Sequence, residues 1–97
     1  MRVFSKRTLR EFWERHADAK RPLRSWYQDA DDADWDTPAA VRAQFANASI
    51  MAGNRVVFNI KGNDYRLVVS INYRRRAVYI RFIGTHAEYN RINAAEV

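Results

Sequence analysis

Arg55-Val-Val-Phe-Asn-Ile-Lys-Gly-Asn-Asp-Tyr-Arg-Leu67 reads as two strands joined by a tight turn. From Arg55 to Lys61 the residues alternate, with Val56, Phe58 and Ile60 on one face and Arg55, Val57, Asn59 and Lys61 on the other. Gly62-Asn63 is a two-residue hairpin signal. Closing the chain there sets Ile60 opposite Tyr65, Asn59 opposite Arg66 and Phe58 opposite Leu67. Slipping the register by one residue would set apolar side chains against polar ones, so the pattern itself selects the pairing. One face of the hairpin is built to pack, and the other carries Arg, Lys and Asn.

The same alternation runs toward the C-terminus. Tyr65, Leu67, Val69, Ile71 and Tyr73 extend the packing face, while Arg66, Val68, Ser70 and Asn72 extend the other. Arg74-Arg75-Arg76 is a charged turn into a third strand, where Val78, Ile80 and Phe82 are expected on the packing face with Tyr79 and Arg81 opposite. Arg81 then falls beside Val68 or Ser70, within one or two strand positions of Arg66, and the two guanidiniums converge on one surface. Gly84 ends the strand. Thr85-x-x-Glu88 is a capping box that opens a short helix with His86 as its first residue and Tyr89 as its fourth, both on the rim of the basic face.

Toward the N-terminus the period changes. Met1–Phe4 is β-prone and could add an edge strand. Leu9, Phe12, Trp13 and His16 fall at i, i+3, i+4 and i+7, one stripe of a helix that starts at Ser5 or at the capping box Thr8-x-x-Glu11. Leu23, Trp26, Tyr27 and Ala30 repeat that stripe after Pro22, which a first helical turn tolerates. Two helices forming a hairpin against the sheet follow. Asp29-Ala-Asp-Asp-Ala-Asp-Trp-Asp36 is the single acidic cluster, either a solvated helix end or a gathering point for a hard cation. Thr37-Pro38 caps a short helix with Val41 and Phe45 inward. The expected fold is α+β, a single domain over residues 1–97: two N-terminal helices on one face of a small, mainly antiparallel sheet, then a short C-terminal helix.

Composition narrows the function. A hydrophobic content of 47% supports a packed core, and the absence of cysteine excludes disulfides and thiolate metal sites. The first residues lack the apolar region of a secretory signal, and no apolar run approaches the ~20 residues of a membrane span; a cytoplasmic protein is expected. The net charge of +6 is uneven, +1 over residues 1–50 and +5 over residues 51–97, as suits a polyanion such as nucleic acid. Two histidines 70 positions apart give no zinc spacing, and no glycine-rich phosphate loop occurs, so no cofactor or metal is expected.

Cleaving RNA without a metal requires that the ribose 2′-OH lose a proton, that charge on phosphorus be stabilised, and that the departing 5′-oxygen gain a proton. Arg66 and Arg81 suit the second task because a guanidinium binds phosphate oxygens in pairs. His86, Tyr89 and Lys61 are the candidates for proton transfer and for holding charge. Arg55, Asn59, Asn63, Tyr79 and Arg74–Arg76 are candidates for contacts along the RNA. Each has a plainer alternative: surface charges or ion pairs for the arginines, a helix-start polar residue for His86, sheet packing for Tyr89, a solvated turn for Lys61.

The run Val56–Leu67, the run Val78-Tyr-Ile-Arg-Phe-Ile-Gly-Thr-His-Ala-Glu-Tyr89 and the opening Ser5-Lys-Arg-Thr-Leu-Arg-Glu-Phe-Trp-Glu14 together resemble the HigB family of bacterial toxins, within the RelE-like group. The resemblance implies a RelE-like fold and a metal-independent mRNA interferase that cuts messenger RNA in the ribosomal (30S) A site. It also implies a helix-turn-helix antitoxin of HigA type and a toxin–antitoxin hetero-oligomer. By this matching Asn59, Lys61, Asn63, Arg66, Arg81, His86 and Tyr89 lie in the family's characteristic stretches. Two other classes of function fit the same surface: a non-catalytic RNA- or ribosome-binding inhibitor of translation, and an interaction module of a repressor complex.

Overall fold

A computed structural model describes all 97 residues. The chain runs β1 (Arg2–Phe4), α1 (Lys6–Arg15), α2 (Lys20–Asp32), α3 (Pro38–Gln44), β2 (Ser49–Met51), β3 (Arg55–Ile60), β4 (Tyr65–Asn72), β5 (Ala77–Thr85) and α4 (His86–Tyr89). The five strands form one sheet in the order β1-β5-β4-β3-β2, antiparallel except for β1, which pairs parallel to β5. No helix is long and apolar enough to cross a membrane.

The packing face follows from the two expected helical stripes. Leu9, Phe12 and Trp13 of α1 and Leu23, Trp26 and Ala30 of α2 are buried with Val56, Phe58, Ile60, Leu67, Val69, Ile71 and Val78 of the sheet. Each fully buried Leu, Val or Phe stabilises the fold by roughly 1.5–3 kcal/mol relative to exposure, and ten of the larger side chains are buried to this extent. Aromatic rings seal the β3 side: Trp26 and Phe45 meet Phe58 edge-on at 5.3 and 5.1 Å, and Trp35 stacks on it at 6.3 Å. The helix α1 begins at Lys6 with Ser5 as the N-cap residue, a turn before Thr8. Thr37 caps α3 by accepting from Ala40 N–H, with Pro38 in the first turn.

The hairpin register is as the alternation requires, with Ile60 opposite Tyr65, Asn59 opposite Arg66 and Phe58 opposite Leu67. Lys61 and Gly62 close it at φ 52° and 64°. Positive φ costs glycine nothing, which explains Gly62. Two features differ from expectation. A β-bulge in β5 leaves Arg81 without a partner between Ile80 (opposite Val69) and Phe82 (opposite Val68). Beyond it the alternation changes face: Ile83 packs on the helical core, whereas Phe82, expected there, packs on the opposite side with Val57 and Val68. The second difference is that this opposite face is not open throughout. Residues 90–97 fold across it, burying Val57, Val68 and Ala94, with Ile92 and Val97 half-buried against them.

Candidate functional site

The register sorts the non-helical face into three rows. The first crosses four strands: Arg55, Ser70, Tyr79 and Phe4 are successive partners on β3, β4, β5 and β1. The second is apolar, Val57–Val68–Phe82, and lies beneath Ala94. The third is Asn59–Arg66–Gly84, next to α4. Arg66 and Ser70 are four residues apart on one strand, about 13 Å at ~3.3 Å per residue. Arg66 and Arg81 therefore flank a sealed apolar row instead of converging on one patch, because the bulge and the C-terminal segment intervene.

At the α4 end, Arg66 is half-buried. One arm of its guanidinium donates to Asn59 Oδ1, and its carbon lies 5.7 Å from the centre of the Tyr89 ring. Its Nε is buried without an acceptor, and no carboxylate pairs with it. Four of the five guanidinium N–H groups are thus unused in a partly dehydrated setting, which favours an incoming anion. Gly84, the register partner of Arg66, makes room for the Phe82 ring: a Cβ there would stand 2.5 Å from Phe82 Cζ and 3.1 Å from Glu88 Oε1. The helix α4 is fixed by the expected capping box, in which Thr85 Oγ1 accepts from Glu88 N–H and Glu88 Oε1 accepts from Thr85 N–H. The hydrogen bond from Thr85 N–H lowers the Glu88 carboxyl below its ordinary value. His86 opens α4 with its backbone N–H on Asp64 O at 3.1 Å, and its exposed ring lies with Nδ1 3.2 Å from the Asn90 amide.

At the other end, Arg81 donates from Nε to Ser70 Oγ at 3.0 Å, while its terminal nitrogens make no hydrogen bond within the chain. It lines an open depression of about 480 Å³ with Arg74, Arg55, Asn72, Ser70, Tyr79 and Tyr73, and no carboxylate lines it. Arg55 is already engaged, donating to Val97 O at 2.6 and 3.0 Å and to Gly53 O at 2.9 Å. Arg76 is likewise held by Asp34 at 2.6 Å and by Tyr73 O, whereas Arg74 and Arg75 project from the turn with exposed side chains. Asn63 is exposed on the hairpin tip.

Lys61 stands apart from Arg66. Its ammonium lies 2.7 Å from Asp18 and 3.3 Å from Asp64, and the Tyr65 hydroxyl donates to the same Asp18. The hydrogen bond to Asp18 raises the Lys61 pKa, which makes it a poorer proton donor near neutrality. The acidic stretch Asp29–Asp36 is spread along the end of α2 and the next loop, where Asp32 accepts from Gln28 and Asp34 pairs with Arg76. No three acidic or histidine side chains gather into a cation site.

Two groups escaped the sequence reading. Phe4 joins the first row, with Arg2 over its ring, only because the expected edge strand β1 pairs with β5, a contact across more than 70 residues that no local pattern announces. Lys6, Arg21 and Arg24 surround a second depression of about 390 Å³ on the helical side, within the half whose net charge is only +1 because its carboxylates collect elsewhere.

Residues 19–92 match the HigB_toxin family model, described as the RelE-like toxic component of a toxin–antitoxin system. The chain is also 27% identical over 94 residues to an mRNA interferase HigB of Escherichia coli O6:H1 (strain CFT073), a match covering 95% of this chain and 91% of the relative.

Proposed function

This chain belongs to the HigB toxin family, RelE-like toxic components of toxin–antitoxin systems, and from that premise we propose that it is a metal-independent mRNA endoribonuclease. The observation that carries the proposal is the half-buried Arg66 guanidinium, unpaired by any carboxylate and held between Asn59 and the Tyr89 ring. A guanidinium preorganised in this way stabilises the charge that develops on a phosphate under attack, and it needs no reorganisation to do so. His86 at the first position of α4 and Tyr89 one turn on are the groups that move protons, one from the attacking 2′-OH and one to the departing 5′-oxygen. The product ends would be a 2′,3′-cyclic phosphate and a 5′-hydroxyl, since the internal 2′-OH replaces water as the nucleophile. Arg81 and Arg74 hold the neighbouring backbone. Lys61, bound to Asp18 and Asp64, orders the hairpin that carries Asn59 and Arg66.

The substrate fits a small domain of this kind. Ribosome-bound message in the 30S A site is single-stranded and ready to enter an open cleft, so the protein need not melt RNA itself. The partner is a helix-turn-helix antitoxin of HigA type, and the toxin acts in the cytoplasm, where the ribosomes are. The relative named an mRNA interferase supports the same activity.

The test is expression of Arg66→Ala and His86→Ala chains in cells, with primer extension on the transcripts of arrested cultures. Loss of one charge-stabilising donor should lower cleavage about 10²-fold or more, with an unchanged far-UV spectrum. New 5′ ends within codons at the unaltered rate in both variants would refute the assignment. Arrest by the unaltered chain with intact message would replace cleavage with steric blockade.

A further inference from the structure

Three large apolar side chains stay exposed, and two of them touch each other: Phe4 (40% exposed) and Tyr79 (38%). They are register partners on β1 and β5, with ring centroids 5.4 Å apart and planes inclined by 18°. The Arg2 guanidinium lies 5.3 Å from the Phe4 centroid. The other stacked pairs, Phe12 with His16 and Trp35 with Phe58, each include a buried ring, whereas both rings of this one are exposed. A cross-strand aromatic pair would by itself steady the short β1 edge, but that role is served as well by burial, and these rings remain wet.

Their neighbours give the stack a second meaning. Tyr79 also lines the depression that holds Arg81 and Arg74, which contains no carboxylate. An exposed, flat π-surface beside unpaired guanidiniums combines the two contacts that single-stranded nucleic acid offers, a base to stack on and phosphates to neutralise. We propose that Phe4 and Tyr79, backed by Arg2, form a nucleobase-stacking subsite for the RNA strand whose phosphates occupy the Arg81–Arg74 depression. This inference rests on the nuclease reading for its biological substrate and puts the held base across the apolar row from Arg66, more than one nucleotide away from the cleaved bond. Because the rings are already stacked and Arg2 is already in place, little order must be imposed on binding, and the subsite tolerates any base.

The test uses the full chain and a short single-stranded RNA, 2′-O-methylated throughout so that cleavage plays no part, carrying the fluorescent base 2-aminopurine. The unaltered chain should quench 2-aminopurine at low salt. Phe4→Leu combined with Tyr79→Leu should abolish quenching and weaken binding about five- to hundredfold, whereas Tyr79→Phe should retain both. Absence of quenching by the unaltered chain, or its persistence in the double variant, overturns the subsite. So does a double variant that binds RNA normally but no longer binds antitoxin, which would make the stack a protein-docking surface. Quenching by a chain that cuts no message would leave the subsite standing and remove the nuclease reading; message cutting without quenching would do the reverse.

Discussion

Asp18 joins three elements through one carboxylate. It accepts from Lys61 at the tip of the β3–β4 hairpin and from the Tyr65 hydroxyl on β4, while itself sitting in the turn between α1 and α2. The Lys61 hydrogen bond holds the Asp18 carboxyl below its ordinary value of 3.8. A carboxyl lowered in the folded state contributes stability that is complete above its unfolded pKa and is lost as pH falls through the folded one. Lys61, raised above 10.5, contributes below that value and loses its contribution as pH rises through the folded one. Asp18→Asn should therefore flatten the acid limb of melting temperature against pH below about pH 4, a difference that thermal denaturation across pH 2–7 would read. Arg66→Lys tests geometry against charge at another single position. A lysine cannot reproduce the planar fork held by Asn59 and Tyr89, so cleavage should stay depressed roughly tenfold or more although the charge is kept. Recovery of the full rate in a cleavage assay would show that charge alone suffices.

Among the elements, β5 decides the shape of the site. Its bulge leaves Arg81 unpaired and turns Phe82 toward Val57 and Val68, and Gly84 then makes room for the Phe82 ring. Gly84→Ala should push that ring aside and lower stability by about 1–2 kcal/mol, measurable by urea denaturation. The C-terminal segment is the other decisive piece. Ala94→Asp places a carboxylate on the buried row where Ala94 is only 4% exposed, a change worth about 2 kcal/mol or more. Limited proteolysis should then cut within residues 90–97 while the helices stay protected; an unaltered digestion pattern would contradict the packing described. These two pieces are also where reading the sequence stopped working. The β3–β4 hairpin, both helical stripes and the capping box at Thr85 were legible because each is a local periodic pattern. The bulge was not, because Phe82 and Ile83 are both apolar and either one could take the packing face. Ser49–Met51 and the segment after Asn90 offer too few residues or no period at all, so the cover over Val68 left no trace in the sequence. Consequently Asn59 faces Arg66 as the register requires and the Tyr89 ring lies beside it, while the expected meeting of Arg66 and Arg81 is not realised.

Across the whole molecule, cations occupy both sides: Arg66, Arg74 and Arg81 on the sheet, and Lys6, Arg21 and Arg24 on the helices. Single-stranded RNA held by three of the sheet arginines should show log affinity falling with log salt at a slope near −2, about 0.7 per phosphate contacted. Filter binding between 50 and 300 mM salt would measure it, and a slope near zero would remove phosphate from the account. The order of strands has a further outcome. The strand nearest the N-terminus is flanked by β5, which is the last strand to be made and the one that carries Arg81 and leads into α4. A growing polypeptide that has not yet delivered Ala77–Tyr89 lacks both the seat for β1 and the helix that bears His86 and Tyr89. The β1 edge and the α4 rim thus take shape together, only once β5 has found its place.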